Sequence, residues 1–153
     1  MRIEDDIVIR IYLADDHAAM RNLLSTVVGF TKDMTLVGQS ETGKDVAIGV
    51  QQGAPDVVLM DIRMPGIDGI EATKQIRKLG QSCKVVIYSA CDDDHEVIRA
   101  FNAGADGYIL KGSSVHEFLS AIREVTEHDG FWLDEKIRGR LSARCQLAMN
   151  VGV

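Results

Sequence analysis

The fold of this chain is decided by residues 56–69, which read DVVLMDIRMPGIDG. Residues 57–60 are apolar at every position, as in a strand of a parallel sheet that helices cover on both faces. The strand ends on Asp61. Pro65 and Gly66 then predict a turn, because proline lacks a backbone donor and glycine favours tight turns. Asp61 is therefore expected at the carboxyl end of a buried strand, where open α/β sheets bind their ligands.

On both sides of this stretch, apolar runs alternate with segments whose apolar residues recur at helical spacing. The predicted strands are residues 7–13, 34–39, 57–60, 84–89 and 107–110. A helical segment follows each of them, at about 17–28, 44–52, 69–78, after 92–94 and after 114. Five successive strand-helix units predict right-handed crossovers and a parallel sheet between two helix layers. The expected fold is a flavodoxin-like α/β three-layer sandwich with strand order 2-1-3-4-5.

Several helix ends carry side chains that are typical of caps. Asp16 is predicted to cap the first helix, and the acidic run 92–94 the fourth, where negative charge suits the helix dipole. Ser114 and Glu117 form a capping box before the fifth helix. Gly49 is expected to weaken the second helix, since glycine lowers helix propensity.

Composition indicates a folded globular protein and argues against several other classes. A length of 153 residues with 46% hydrophobic content suits one domain with its own core. The net charge of −6 argues against a nucleic-acid-binding surface over the body of the chain. Cys83, Cys91 and Cys145 lack the spacing of a zinc site or a disulfide framework, which favours a reducing, cytoplasmic setting. No apolar run approaches the ~20 residues of a membrane span.

The expected strand order brings side chains from distant parts of the chain to one edge of the sheet. Asp15, Asp16 and Asp61 would converge there, and their mutual repulsion is costly unless a cation is bound. Mg²⁺ suits such a group of carboxylates. Ser89 ends the fourth strand and Lys111 the fifth. A hydroxyl, an ammonium and a divalent cation around a carboxylate are what a phosphoryl group in transfer requires.

The same residues resemble the receiver (CheY-like) domain of two-component response regulators over about residues 7–129. Four blocks carry the resemblance in the expected order: Asp15-Asp16, residues 60–69, Ser89-Ala90 and residues 107–111. The start DDH and the block GYILKGS are most similar to the FixJ/NarL group, whose output is a LuxR-type DNA-binding helix-turn-helix. Gly112 departs from the family pattern, in which proline usually follows this lysine.

The resemblance implies a phosphorylation-activated signalling switch rather than an enzyme with a separate substrate. Asp61 would accept a phosphoryl group from a histidine kinase, and Lys111 would pair with the phosphoryl oxygens. Ser89 and the aromatic switch Tyr108 would relay the change to the face made by helix 4, strand 5 and helix 5. Catalysis would be limited to the chain's own phosphorylation and dephosphorylation, and phosphorylation would allow a homodimer to form.

The resemblance also implies the metal ligands. Asp15, Asp16, Asp61 and the backbone carbonyl of Arg63 would bind Mg²⁺, and no other cofactor is implied. His17 follows the acid pair, but a helix-start position is the simpler interpretation of that residue than a ligand.

Two other functions fit parts of the sequence. Residues 38–45 nearly match the phosphate-binding loop G-x-x-x-x-G-K-[ST], which would indicate a nucleotide hydrolase. Asp45 replaces the hydroxyl residue of that motif, and this hypothesis leaves Asp15, Ser89 and Lys111 without a role. The second alternative is an interaction module that acts without phosphorylation. The chemical competence of all five receiver positions argues against it.

Residues 130–153 are predicted to be a linker with a partly helical extension, beyond a receiver domain at residues 1–129. Asp134 could cap that helix, and basic residues including Arg140 and Arg144 lie in it. About twenty residues cannot build a DNA-binding domain with its own core. DNA binding is therefore expected only through an output domain absent from this chain. Residues 131–133 (FWL) are expected to be the anchored part, against helix 5 or a partner.

Overall fold

The computed structural model describes the backbone of residues 7–151 and the side chains of residues 7–143. The side chains of Arg144 and Cys145, both considered in the sequence, therefore lie outside the described residues. The strands are β1 Ile9–Ala14, β2 Met34–Ser40, β3 Val57–Met60, β4 Lys84–Ser89, β5 Gly107–Leu110 and β6 Trp132–Leu133. The helices are α1 Ala18–Gly29, α2 Gly43–Gly53, α3 Gly69–Lys78, α4 Asp94–Asn102, α5 Val115–Glu127 and α6 Glu135–Val151.

The strands form one parallel sheet in the order β2-β1-β3-β4-β5-β6. The five predicted strands and their order are confirmed, with element ends that shift by one or two residues. The sixth strand was not predicted. It pairs in parallel with β5, with Gly107 opposite Trp132 and Tyr108 opposite Leu133.

Two apolar layers, one on each face of the sheet, form the core. One layer packs the sheet against α2, α3, α4 and Ile137 of α6, and the other packs it against α1 and α5. Successive residues of β3 alternate between the layers: Val58 and Met60 lie in the first, and Val57 and Leu59 in the second. Because both faces are covered, all four residues are buried, which explains why this strand is apolar at every position.

The helix caps confirm most of the predictions and correct one. Asp93 accepts hydrogen bonds from the first turn of α4, Ser114 and Glu117 form the capping box of α5, and Asp134 accepts from the backbone of Lys136 in α6. The prediction that Asp16 caps α1 is wrong. The helix begins later, so that His17 occupies the N-cap position, and it makes no side-chain cap bond.

Gly49 lies in α2 because a side chain has no room there. A Cβ atom at this position would lie 2.0 Å from the hydroxyl oxygen of Tyr12. The buried Tyr12 ring also crosses Gly38, where a Cβ atom would lie 2.7 Å from it, and its hydroxyl forms a short hydrogen bond with Ser40. Glycine has a low helix propensity, but at this position it leaves the space that the buried Tyr12 ring needs.

Candidate functional site

The acidic residues of the sequence meet at the carboxyl edge of the sheet, because β1 and β3 are neighbours. Ala14 lies opposite Met60, and the backbone N–H of Asp61 donates to the carbonyl of Ala14 at 2.8 Å. Asp15 and Asp61 therefore leave their strands side by side, and both are buried, with 3% and 4% of their surface exposed. The predicted convergence of these carboxylates is confirmed.

Lys111 joins the two carboxylates. Its Nζ atom lies 3.0 Å from Oδ2 of Asp61 and 3.2 Å from Oδ2 of Asp15. The backbone N–H of Lys111 donates to the carbonyl of Ser89 at 2.8 Å. This bond continues the β4–β5 pairing by one residue and fixes the position of the Lys111 backbone. One ammonium group thus bridges residues 50 and 96 positions away in the sequence.

Burial and charge act against each other on this group. Burial raises the pKa of the Asp61 carboxyl above its ordinary value, since the pull of Lys111 only partly offsets the loss of water. Burial alone would lower the pKa of Lys111, but its hydrogen bond to Asp61 and the charges of Asp61 and Asp15 raise it. Lys111 is therefore held as a cation at neutral pH. The negative charge on Asp61 is costly and would be stabilised by further positive charge.

Asp16 gives a second indication that this acidic cluster could bind a cation. Its Oδ1 atom is buried and accepts no hydrogen bond from the residues that the structure describes. Nδ1 of His17 lies 2.9 Å from this atom, but makes its hydrogen bond to Oδ1 of Asp15, at 3.2 Å. One ligand atom from each of Asp15, Asp16, His17 and Asp61 fits within 4.8 Å of all the others. Such a set of mainly carboxylate oxygens suits Mg²⁺, which prefers oxygen ligands.

The predicted switch residues both contact the loop after β4. Ser89 is buried at the end of β4, and its Oγ atom accepts a hydrogen bond from the N–H of Cys91 at 3.2 Å. The Tyr108 side chain is fully buried, and its hydroxyl donates to the carbonyl of Cys91 at 2.5 Å. Burial raises the pKa of the Tyr108 phenol, so the group stays a neutral donor. The two residues therefore hold the same loop residue, Cys91, by its N–H and its carbonyl.

Arg63 lies at the open side of the site. Its backbone N–H points at Oδ1 of Asp61 across 3.4 Å, a long contact, and its side chain is 74% exposed. The guanidinium approaches Glu96 of α4 to 3.7 Å, so it also lies near the loop after β4.

Two neighbours of the site were not assigned a role from the sequence. His17 was interpreted as a helix-start residue, and it does occupy the N-cap position of α1, but its ring also faces the acid pair. Tyr88 places its ring 5.9 Å from Nζ of Lys111, within range of a cation–π contact. An aromatic residue directly before the strand-end serine was the only signal for Tyr88.

The phosphate-binding-loop hypothesis for residues 38–45 is not favoured by the structure. A Cβ atom at Gly43 would lie 1.9 Å from the carbonyl oxygen of Ile67, and Gly38 makes room for Tyr12. Both glycines are therefore explained by packing. Asp45 accepts a hydrogen bond from Thr42 at the start of α2, where the loop would have to cradle a phosphate.

Comparison with known proteins agrees with this geometry. The sequence profile of the response regulator receiver domain matches residues 11–123. The response regulator protein VraR of Staphylococcus saprophyticus is 34% identical over 142 residues, which cover 91% of this chain and 68% of VraR. The response regulator GacA of Pseudomonas aeruginosa is 37% identical over 117 residues, which cover 76% of this chain and 55% of GacA.

Among solved structures, a LuxR-family two-component response regulator from an Aurantimonas species superposes with a TM-score of 0.85. It is 26% identical in sequence, and the match covers 90% of this chain and 97% of that one. The VraR match is longer than the stretch covered by the receiver profile.

No helix among residues 7–151 combines the length and the apolar character that a membrane span requires.

Proposed function

This chain belongs to the response regulator receiver family of two-component systems, and from that membership we propose that Asp61 is the residue that accepts the phosphoryl group. The observation that carries the proposal is the position of Lys111, whose ammonium lies between Asp61 and Asp15 in a buried acidic cluster. Asp61 is the member of the cluster that combines this contact with the end of the central, fully buried strand.

In the proposed reaction, an Oδ atom of Asp61 attacks the phosphorus of a phosphohistidine on the kinase. The new O–P bond forms as the P–N bond breaks, and the electron pair stays on the imidazole nitrogen, which takes up a proton. Lys111 neutralises charge on the equatorial oxygens, as phosphoryl transfer requires. The chain then catalyses only its own phosphorylation and the later hydrolysis of the acyl phosphate.

The residues present fit a magnesium ion. Asp15, Asp16, Asp61 and the carbonyl of Arg63 would hold it, and the unsatisfied Oδ1 atom of Asp16 is the observation that supports this assignment. When bound, Mg²⁺ supplies positive charge beside the phosphoryl oxygens. Asp15 meanwhile stays paired with Lys111, which limits the repulsion among the three carboxylates.

Incubation with acetyl phosphate and Mg²⁺, followed by intact-mass measurement, tests the assignment. The wild-type chain should gain one phosphoryl group, and Asp61→Asn should gain none. Asp68→Asn is a matched control, since Asp68 caps α3 in the same loop but lies outside the acidic cluster. A stoichiometric gain in Asp61→Asn would show that another residue is the acceptor.

We further propose that Ser89 and Tyr108 carry the change to the face of α4, β5 and α5. Both contact Cys91, so a movement of Ser89 towards a phosphoryl oxygen would move the residue that Tyr108 holds. Phosphorylation shifts this equilibrium only by interacting differently with its two states. Ser89→Ala should therefore still be phosphorylated, with chemical-shift changes on α4 that are at most half those of the wild type. Undiminished changes would contradict this relay.

In this proposal the chain acts in the cytoplasm, its partner is a histidine kinase, and a homodimer forms on phosphorylation. Residues 1–129 would act as the receiver, and residues 130–153 would lead to a DNA-binding output domain in a longer protein. The chain described by these 153 residues should then show no specific retention of an operator-like duplex at physiological salt. Specific retention would show that residues 130–153 bind DNA themselves.

A further inference from the structure

The segment formed by β6 and α6 lies outside the residues that carry the receiver profile, yet it contacts two loops of the site. One is the loop of residues 90–93, between β4 and α4. The other is the loop of residues 111–114, between β5 and α5. These loops follow Ser89 and begin with Lys111. Ser89 binds Cys91 in the first loop, and Lys111 contacts Asp61 from the start of the second. Contacts that restrain these loops therefore also restrain the surroundings of Ser89 and Lys111.

Arg140 of α6 holds the first loop and the start of α4. Its Nε atom lies 2.7 Å from Oδ1 of Asp94, and its Nη1 atom lies 3.2 Å from Oδ2 of Asp92. Its Nη2 atom also donates to the backbone carbonyl of Asp92. A planar guanidinium that donates in three directions fixes the orientation of its partners better than a single ammonium would.

The same loop is fixed at Cys91 by Ser89 and Tyr108, which bind its N–H and its carbonyl. Arg140 binds the next residue, Asp92. Three side chains from three parts of the chain thus restrain two consecutive residues. In the observed arrangement Ser89 accepts the hydrogen bond of Cys91, which leaves its own hydroxyl proton to donate.

The second loop is also hydrogen-bonded to the segment formed by β6 and α6. Oγ of Ser113 donates to Oδ2 of Asp134 at 2.9 Å, and Asp134 is buried and caps α6. The helix itself is anchored by Ile137, which is fully buried in the same apolar layer as Tyr108 and Val97. Arg140 lies one turn beyond this anchor, so its guanidinium extends from a fixed part of the molecule.

We propose that Arg140 is a positioning residue for phosphoryl transfer, which holds residues 90–93 so that Ser89 faces the Asp61 edge. The proposal rests on the function proposed above for Asp61. Since binding at two coupled sites is reciprocal, docking of α6 favours the phosphorylated state, and phosphorylation favours docking of α6.

The expected size of the effect is moderate. Asp92 is 62% exposed, and pairs of that kind contribute little, but Asp94 is 7% exposed, so its contact with Arg140 is partly shielded from water. We expect Arg140→Gln to weaken the binding of beryllofluoride with Mg²⁺, a mimic of the phosphoryl group, by about fivefold, at the low end of typical allosteric coupling.

Arg138→Gln is the matched control. It removes the same charge from the same helix, but among the residues that the structure describes the Arg138 side chain bonds only to the carbonyl of Leu133, within its own segment. Three measurements compare the variants: the affinity for beryllofluoride with Mg²⁺, the denaturant midpoint, and the hydrogen-exchange rate of the Cys91 amide in metal-free protein. Arg140→Gln should bind the mimic more weakly and exchange Cys91 about fivefold faster than Arg138→Gln, with similar denaturant midpoints.

Two further variants approach the contact from other directions. Arg140→Lys keeps the positive charge but loses the planar guanidinium and its several donors. It should give intermediate values for both the affinity for beryllofluoride and the Cys91 exchange rate. Asp92→Asn changes an exposed partner and should shift both readouts the same way by a smaller factor. Equal values in Arg140→Gln and Arg138→Gln, or tighter binding in Arg140→Gln, would overturn the proposal. Failure of the wild type to be phosphorylated at Asp61 would instead refute the proposed function, while the difference in Cys91 exchange would remain measurable.

Discussion

The two edges of the sheet use charged side chains in opposite ways. At the amino edge, Arg77 donates to the carbonyls of Gln81, Cys83 and Gly104 and pairs with Asp106 at 2.8 Å. At the carboxyl edge, the ammonium of Lys111 pairs with Asp15 and Asp61, and the carboxylate of Asp16 lies beside them without that contact in the part of the chain that the structure describes.

The difference separates charges that stabilise the fold from charges that we propose bind a ligand. At the amino edge, the cation satisfies backbone carbonyls that close two loops, so its charge stabilises the native state. At the carboxyl edge, the excess negative charge and the unsatisfied Oδ1 atom of Asp16 cost stability. Substitutions at the amino edge should therefore change stability, and substitutions at the carboxyl edge should change phosphorylation.

Arg77→Ala should give the largest effect on stability. It leaves carbonyls of the 79–83 and 103–106 loops without their donor, and we expect a loss of about 3 kcal/mol in the free energy of unfolding. Denaturant titration by circular dichroism measures it. The phosphorylation rate with acetyl phosphate should stay within twofold of wild type at a temperature where both proteins are folded. A large loss of phosphorylation in a folded Arg77→Ala protein would show that charges at the amino edge also affect phosphorylation.

Asp16→Ala should have the reverse pattern. Removal of a carboxylate whose Oδ1 atom has no hydrogen bond relieves repulsion, so the free energy of unfolding without metal should rise by about 0.5 kcal/mol. The affinity for Mg²⁺ should fall by about tenfold, because a ligand is lost. Calorimetric titration and denaturant midpoints check the two parts. A loss of more than about 1 kcal/mol in stability would show that Asp16 serves the fold instead, on the scale of a lost hydrogen bond.

The pair Asp33–Arg123 should give the smallest effect, and it allows a pH test of a charge that stabilises the fold. Arg123 holds Asp33 by two hydrogen bonds of 2.7 and 3.0 Å, and this contact lowers the pKa of Asp33 below the ordinary value of 3.8. A lowered carboxyl pKa gives stability that is present above pH 3.8 and lost as the pH falls through the lower, folded value.

Arg123→Gln should therefore be less stable than the wild type at pH 6, by about 0.5 kcal/mol, since both side chains are more than a third exposed. The difference should shrink towards zero below pH 3. Denaturant titrations of both proteins at pH 6, 4 and 2.5 measure it. A difference that does not change with pH would assign the effect to packing of the Arg123 side chain.

Local sequence was sufficient for the central strands, most of the caps and the identity of the acidic cluster. β3 is apolar at every position because both of its faces are buried, and the cap of Ser114 and Glu117 depends only on residues three positions apart. Asp15, Asp61 and Lys111 could be placed at one edge because the succession of strands and helices fixes the side on which parallel strands end. The cap assigned to Asp16 failed because the start of α1 shifted by a single residue, which short-range patterns do not resolve.

The tertiary structure alone decided the contacts that join distant segments. The two residues of β6 are too few to show a strand period, and they pair only because β5 offers an open edge. Gly49 appeared as a weak point of a helix until Tyr12 was found against it. Arg140 meets Asp94 and Asp92 across 46 and 48 residues. The sequence alone thus determined what the longer segments become, because period and caps are local. Which side chains meet was decided by strand register and helix packing, because these depend on the whole chain at once.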